Sequence, residues 1–321
     1  MSSPKQGLPA AGASPARVRR SAMEYLWIYA AVFAAFVQSL RFMLQKQVKD
    51  AGLSTAAATF SRFVYAAPVV GFGAFLYSNA QTGGLPALGP GYWGYVAVGG
   101  LSQILGTVAV VILFSHRNFA VGMTFKKTEV MLTVLSGYLI LGDSVSAYGI
   151  AAIALGFCGV LALSGQAARF TWRDLISRAS LIGLASGVIF SISGPAYRGA
   201  SLAVTSDDPL IRASITLACA TAFQTVILLG WMLWREQDQL RAVFVRWRLT
   251  AMVAVASMLG SMGWFTAYTL QSAAYVNAVG QVELIFSMII SYFVFSERST
   301  PREYAGIALI CASVLALILF G

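Results

Sequence analysis

Long apolar runs separated by short polar ones set the pattern of this chain. Runs of roughly 18 to 25 apolar residues have the length of a membrane-spanning helix. Ten such runs occur, at about 24–44, 56–77, 92–114, 119–142, 146–164, 179–199, 209–234, 249–270, 274–295 and 303–320. Their connections are mostly short, and Gly and Pro punctuate several, as in "TGGLPALGPG" at 82–91. Lipid offers no partner to open backbone groups, so this pattern predicts an all-α integral membrane protein with ten transmembrane helices. Residues 1–22, with Pro4, Pro9, Pro15, Arg17, Arg19 and Arg20, are expected to form a disordered basic tail. A signal peptide fits poorly, because the run that follows is span-length and lacks a clear A-x-A site.

The second half of the chain echoes the first. "EVMLTVLSGYLILGDSVSAYGIAAIALGFCGVLAL" (129–163) lies over "ELIFSMIISYFVFSERSTPREYAGIALICASVLAL" (283–317) without a gap. Glu129 then meets Glu283, Tyr138 meets Tyr292 and Asp143 meets Glu297. Upstream, Leu105-Gly106 meets Leu259-Gly260, and Arg62 meets Arg212 if a small gap is allowed. Shared greasiness would not align the charged positions. The expected organisation is a first five-helix repeat over 23–165, a linker over 166–178 and a second repeat over 179–321. Five is odd, so the second copy enters the membrane from the opposite side. Two inverted five-helix repeats follow, with a site expected near the midplane between them.

Polar residues inside the spans mark that site. Span four, "GMTFKKTEVMLTVLSGYLILG" (122–142), aligns Lys126, Glu129, Thr133 and Ser136 on one helical face. Lys126 reaches Glu129 at i,i+3. Lys127 falls about 160° around from Glu129 at ~100° per residue, and is expected to snorkel to the near interface. A Lys at the bilayer centre costs roughly 2.5–3.5 kcal/mol, so Lys126 and Glu129 are expected to face water and substrate rather than lipid. In span nine Glu283 has Ser287 one turn on. Gly280 and Gln281 stand where the first repeat has its lysines, so Glu283 is expected to lack a cation and to be the better proton carrier. Span eight carries Ser257, Ser261, Trp264 and Tyr268 on one narrow face, and span three carries Gln103 and Thr107. Span six shows Ser186, Phe190, Ser193 and Tyr197, and span one shows Gln38 and Arg41. These stripes suit a moderately polar, aromatic-lined cavity, although Ser, Thr and Gln also serve as interhelical glue. Small-residue pairs, Gly183/Gly187, Ala152/Gly156 and Ala30/Ala34, predict close helix contacts, with a monomer or weak homodimer expected. Pro68 and Pro195 fall inside spans.

Composition agrees with the pattern. The 321 residues are 58% hydrophobic and 11% charged, against about 25% charged in a soluble domain. The net charge of +10 reads as topological charge in loops rather than as a nucleic-acid surface. Lys46, Lys49, Arg117, Arg169, Arg173, Arg178, Arg235, Arg241, Arg246, Arg248, Arg298 and Arg302 mark the odd loops. Only Lys5, Arg17, Arg19, Arg20 and Arg198 lie on the even side, so the balance places both termini outside the cytoplasm. Cys158, Cys219 and Cys311 lie in apolar runs without metal or disulfide spacing, and His116 is the one histidine, so no metal or other cofactor is expected.

"LILGDSVSAYGIAAIALGFCGVLAL" (139–163) and "FSERSTPREYAGIALICASVLAL" (295–317) resemble the closing signature of EamA-type repeats, in the ten-helix branch of the drug/metabolite transporter superfamily. The resemblance covers about residues 24–320. It implies a secondary transporter of a bacterial inner membrane, often an exporter of amino acids, metabolites or toxic compounds. It also implies a cavity lined by helices 1, 3, 4, 6, 8 and 9, with 5 and 10 peripheral, and cytoplasmic termini. Two features depart from it. Val130 and Leu284 follow the glutamates where a Pro is common, and the loop after span two, often basic, carries no charge.

The functional expectation is a secondary active transporter for a small polar or amphipathic metabolite, an amino acid-like compound or organic ion, exported and coupled to protons or to exchange. Lys126 with Arg41 hints at a carboxylate on the substrate, and Trp264 with Tyr268 at an apolar portion. No GxxxxGK[ST] loop provides for ATP drive. A flippase for a lipid-linked polar group is the alternative. A membrane-embedded enzyme is a poor third, lacking a nucleophile–base or metal motif.

Overall fold

The computed structural model describes residues 15–113, 125–163, 177–286, 289 and 301–320. It is helical throughout. Among the described residues no strand forms, and Leu88 and Val204 make an isolated antiparallel bridge. The helices are α1 (Pro15–Asp50), α2 (Thr55–Phe60), α3 (Ala66–Thr82), α4 (Tyr92–Leu113), α5 (Glu129–Leu141) and α6 (Ala147–Leu163). The second half forms α7 (Arg178–Leu202), α8 (Pro209–Arg235), α9 (Gln237–Val245), α10 (Trp247–Leu270), α11 (Ala273–Val279) and α12 (Pro301–Phe320). A 3₁₀ turn, Gly280–Val282, continues α11. Helix α1 starts at Pro15, inside the segment expected to be a tail; Pro suits the first helical position, where its missing N–H has no intrahelical partner.

Five stretches are long and apolar enough to cross a membrane: Tyr25–Asp50, Tyr92–Leu113, Arg178–Leu202, Pro209–Arg235 and Trp247–Leu270. Glu129–Leu141, Ala147–Ala162, Ala273–Phe286 and Tyr304–Leu319 are apolar but shorter. Not every expected run is one continuous long helix among the described residues. The run 56–77 is not one helix. It breaks over residues 61–65, where the Arg62 N–H donates to Thr59 O (3.2 Å) and the Phe63 N–H to Phe60 O (2.9 Å). These i→i−3 bonds tighten the chain, and helix resumes at Ala66 with Pro68 in its first turn, where an N–H is not needed. In the run 119–142, residues 119–124 lie outside the described ones and the regular helix begins at Glu129.

Helix ends follow local chemistry. Gly83 and Gly142, at φ +73° and +72°, end α3 and α5 in the left-handed conformation that other residues resist. Asp208 caps α8 by accepting from the Leu210 N–H (2.8 Å), with Pro209 as first residue. Inside α7, Pro195 cannot donate to the carbonyl of Ser191. Ser136 of α5 donates to that carbonyl instead, so the proline costs no buried hydrogen bond.

The most extensive helix pairs are α1 with α10, α4 with α7 and α6 with α12, followed by α5 with α7 and α3 with α8. Small residues set several of these seams. A Cβ on Gly263 would stand 2.8 Å from Ala30 O and 2.9 Å from Ala34 Cβ. A Cβ on Gly156 would stand 2.6 Å from Ser313 Oγ, which donates to Ala152 O. The polarity is turned inside out relative to a soluble protein. Phe72, Leu139, Val226 and Trp234 are exposed, whereas Arg41, Arg62, Lys126, Lys127 and Glu283 are buried. Such a surface suits lipid, and such an interior needs internal partners.

Candidate functional site

A cavity opens where the two halves meet. Its walls come from α1 (Gln38, Arg41), the broken segment after α2 (Arg62), α4 (Gln103), residues 126–129, α7 (Phe190, Ser193, Tyr197), α10 (Ser261, Trp264, Tyr268), α11 (Asn277) and residues 280–283. Helices α6 and α12 contribute none of the lining residues. The central void is about 60 Å3, several times the roughly 10–15 Å3 that one ordered water needs.

Both glutamates enter this space from a tightened turn. Ahead of Glu129 the Thr128 N–H donates to Phe125 O (3.1 Å), an i→i−3 bond. Ahead of Glu283 the chain is 3₁₀, and the Glu283 N–H donates to Gly280 O in the same register. Such tightening rotates the residues before each glutamate relative to an ideal α-helix. This is why Lys127 does not snorkel as expected. Both lysines point inward, Lys126 at 5% and Lys127 at 4% exposure.

Lys126 pairs with Glu129, Nζ to Oε2 at 2.7 Å, and lies 4.8 Å from the centre of the Phe190 ring. The turn that carries it is seated on Gly187 of α7. A Cβ there would meet Lys126 O at 2.9 Å and Thr128 Oγ1 at 2.8 Å. Lys127 crosses to the other half and donates to Glu283 Oε2 at 3.3 Å. The expectation that Glu283 has no cation beside it is thereby corrected: the lysine comes from the other half of the chain, which sequence spacing cannot reveal. Gln38 binds the same carboxylate through Nε2 (2.9 Å), while its Oε1 accepts from Arg41 Nη2 (3.1 Å) and Trp264 Nε1 (3.2 Å). Gly280, the counterpart of Lys126, leaves room for Trp264: a Cβ there would be 2.3 Å from the indole.

Around these charges runs a polar frame. Tyr197 donates to Gln103 Oε1 (2.9 Å), which also accepts from Gln224 (2.8 Å). Tyr268 donates to Asn277 Oδ1 (2.8 Å), and Asn277 Nδ2 donates to Thr133 Oγ1 (3.0 Å). Arg62 donates to Thr107 Oγ1 (2.6 Å). Trp264 and Tyr268 stack, centroids 5.9 Å apart and planes 21° apart. Among the described residues, no group of three His, Cys, Asp or Glu stands together as a metal site would require.

Of the residues expected at the site, Glu129, Lys126, Glu283, Gln38, Arg41, Gln103, Tyr197, Ser261, Trp264 and Tyr268 share the cavity wall. Thr107 and Thr133 do not. They are buried behind it, where they hold Arg62 and Asn277. Ser257, also buried, is about 6 Å along α10 from Ser261 at 1.5 Å per residue, and lies outside the lining. Ser287 lies outside the described residues. Lys127, Arg62, Asn277 and Gln281 line the cavity and were not among the expected site residues. An Arg within an apolar run was a usable signal for Arg62. Nothing local marked Asn277 or Gln281. Arg198, counted among the loop cations, lies within α7, where it donates to Asp143 Oδ2 (3.0 Å) and Tyr268 O (2.8 Å).

A solved structure described as "Crystal structure of protein" is similar in fold, with a TM-score of 0.65 and 14% identity over 94% of this chain and 99% of that one. No curated protein matches the sequence. Residues 177–319 match the model of the EamA-like transporter family. The second half of this chain is thus similar to the EamA-like transporter family over those residues.

Proposed function

We propose that the protein is a secondary active transporter that moves a small polar or amphipathic metabolite by alternating access, built as ten helices in two inverted repeats. The observation that carries this reading is the buried cavity into which each half sends a glutamate from an equivalent tightened turn. The packing supports the repeat. Exchanging the halves turns the pair α1–α10 into α7–α4, and leaves α3–α8 and α6–α12 as they are. A bundle with that pseudo-symmetry can open to either side at similar cost, with the site fixed between the moving parts. Export is the direction the reading adopts, with protons as coupling ion through Glu129 or Glu283. The loop charges favour termini outside the cytoplasm, and a C-terminal reporter active only in the cytoplasm should then stay silent.

The test is transport in liposomes reconstituted with the full chain, screened against a metabolite panel with and without a pH gradient. Wild-type protein should move at least one solute, and Glu129→Gln and Glu283→Gln should each slow it at least tenfold. A wild-type protein that moves none of them under any gradient sinks the reading. Movement indifferent to the pH gradient removes the proton and leaves exchange.

A further inference from the structure

The cavity is lined by more positive than negative charge. Arg41, Arg62, Lys126 and Lys127 face only two carboxylates, Glu129 and Glu283. Both carboxylates are engaged by lysines. The arginines are deeply buried, at 5% and 3% exposure, and neither meets a carboxylate within ion-pair distance among the described residues. Each also keeps a buried N–H without a partner there: Nη1 of Arg41 and Nε of Arg62. The other groups hold them in place. Gln38 accepts from Arg41 Nη2 and Thr107 from Arg62 Nη1. The guanidinium carbons lie 4.5 Å from the Phe42 ring centre and 4.9 Å from that of Phe63.

A buried donor left unsatisfied is costly, and a buried unpaired charge more so. Two guanidinium groups with spare N–H groups, on the wall of a void large enough for water, are a site for oxygen acceptors. We propose that the substrate is an organic anion, and that Arg41 and Arg62 together hold its carboxylate or phosphate head. This rests on the carrier reading above and names the substrate class of the same cavity. The Trp264–Tyr268 stack forms a wall for the rest of the molecule. The buried Oε1 of Gln281, also without a partner among the described residues, is an acceptor for a hydroxyl or amine that the anion carries. Among the described residues the second half offers no second such pair. Arg212, the counterpart of Arg62, turns to the loop carbonyl of Ser206 instead.

Four probes of similar size and different charge test the assignment: phenyl phosphate, benzoate, benzyl alcohol and benzylamine. The full chain is purified in detergent, and its thermal midpoint is followed against each probe at constant ionic strength. Phenyl phosphate or benzoate should raise the midpoint saturably, and benzyl alcohol and benzylamine should not. Which of the two anions binds tighter separates a phosphate head from a carboxylate. Arg41→Met and Arg62→Met should each weaken the anion's apparent Kd at least tenfold, with Arg62→Lys recovering part of the loss. Without ligand, both Met variants should melt no lower than the wild type, because each removes a buried charge that has no carboxylate partner. A clear fall in the ligand-free midpoint of both would make the arginines structural and overturn the proposal. So would a shift with benzylamine alone, which would leave a carrier of cations. No shift with any probe also overturns it, and the liposome screen then decides the carrier reading by itself.

Discussion

Glu129 and Glu283 occupy matching positions in the two halves, yet their surroundings differ. Glu129 is satisfied within its own turn by Lys126, and its side chain keeps 15% exposure. Glu283 is 7% exposed by the same measure, and its partners are distant in sequence: Lys127 just before α5 and Gln38 from α1. The first half of the chain therefore supplies both lysines, one for its own carboxylate and one for that of the second half. In the second half the matching position, Gly280, seats Trp264. Adjacent lysines of one segment thus serve a carboxylate from each half.

The comparison breaks most sharply at Glu283. Glu283→Gln leaves Lys127 buried without its carboxylate and should cost about 3–5 kcal/mol of stability in a detergent unfolding assay. Adding Lys127→Met to that variant should return most of the stability without returning transport. Recovery of transport as well would mean that the pair is only structural. Next in size is Gly280→Ala, whose methyl would collide with the Trp264 ring. It should cost about 1–3 kcal/mol and weaken substrate binding by displacing the indole; an unchanged melting curve would contradict so close an approach of the two residues. Glu129→Gln should cost less, roughly 1.5 kcal/mol, because Lys126 retains the Phe190 ring as a second partner. If Glu129→Gln proved as destabilising as Glu283→Gln, the asymmetry between the two carboxylates would be wrong. Ser136→Ala should have the smallest effect. It strands the Ser191 carbonyl freed by Pro195, at about 1 kcal/mol in the same assay.

The legible parts of the site were those whose partners are close in sequence. The Lys126–Glu129 pair follows from i,i+3 spacing, and the α10 stripe of Ser261, Trp264 and Tyr268 from helical periodicity. Lys127 was misplaced because periodicity assumes ~100° per residue, and the turn at 125–128 is tighter than that. Arg62 was visible as a charge in an apolar run, but its direction depended on the break after Phe60. Asn277 gave no local signal. Its bonds to Tyr268 and Thr133 join three helices that only the packed bundle brings together.

The apolar runs determined, by themselves, that this chain folds as membrane-embedded helices, and the aligned charged positions marked where its two halves correspond. Both are properties of single segments, because a helix satisfies its own backbone and a hydrophobic run selects its own solvent. Only the tertiary structure decided which charge answers which, where the arginines end, and which half lends its lysine to the other. Those outcomes depend on the phase of each helix at its broken turns and on which faces meet across the halves. Neither quantity is stored in any one stretch of residues.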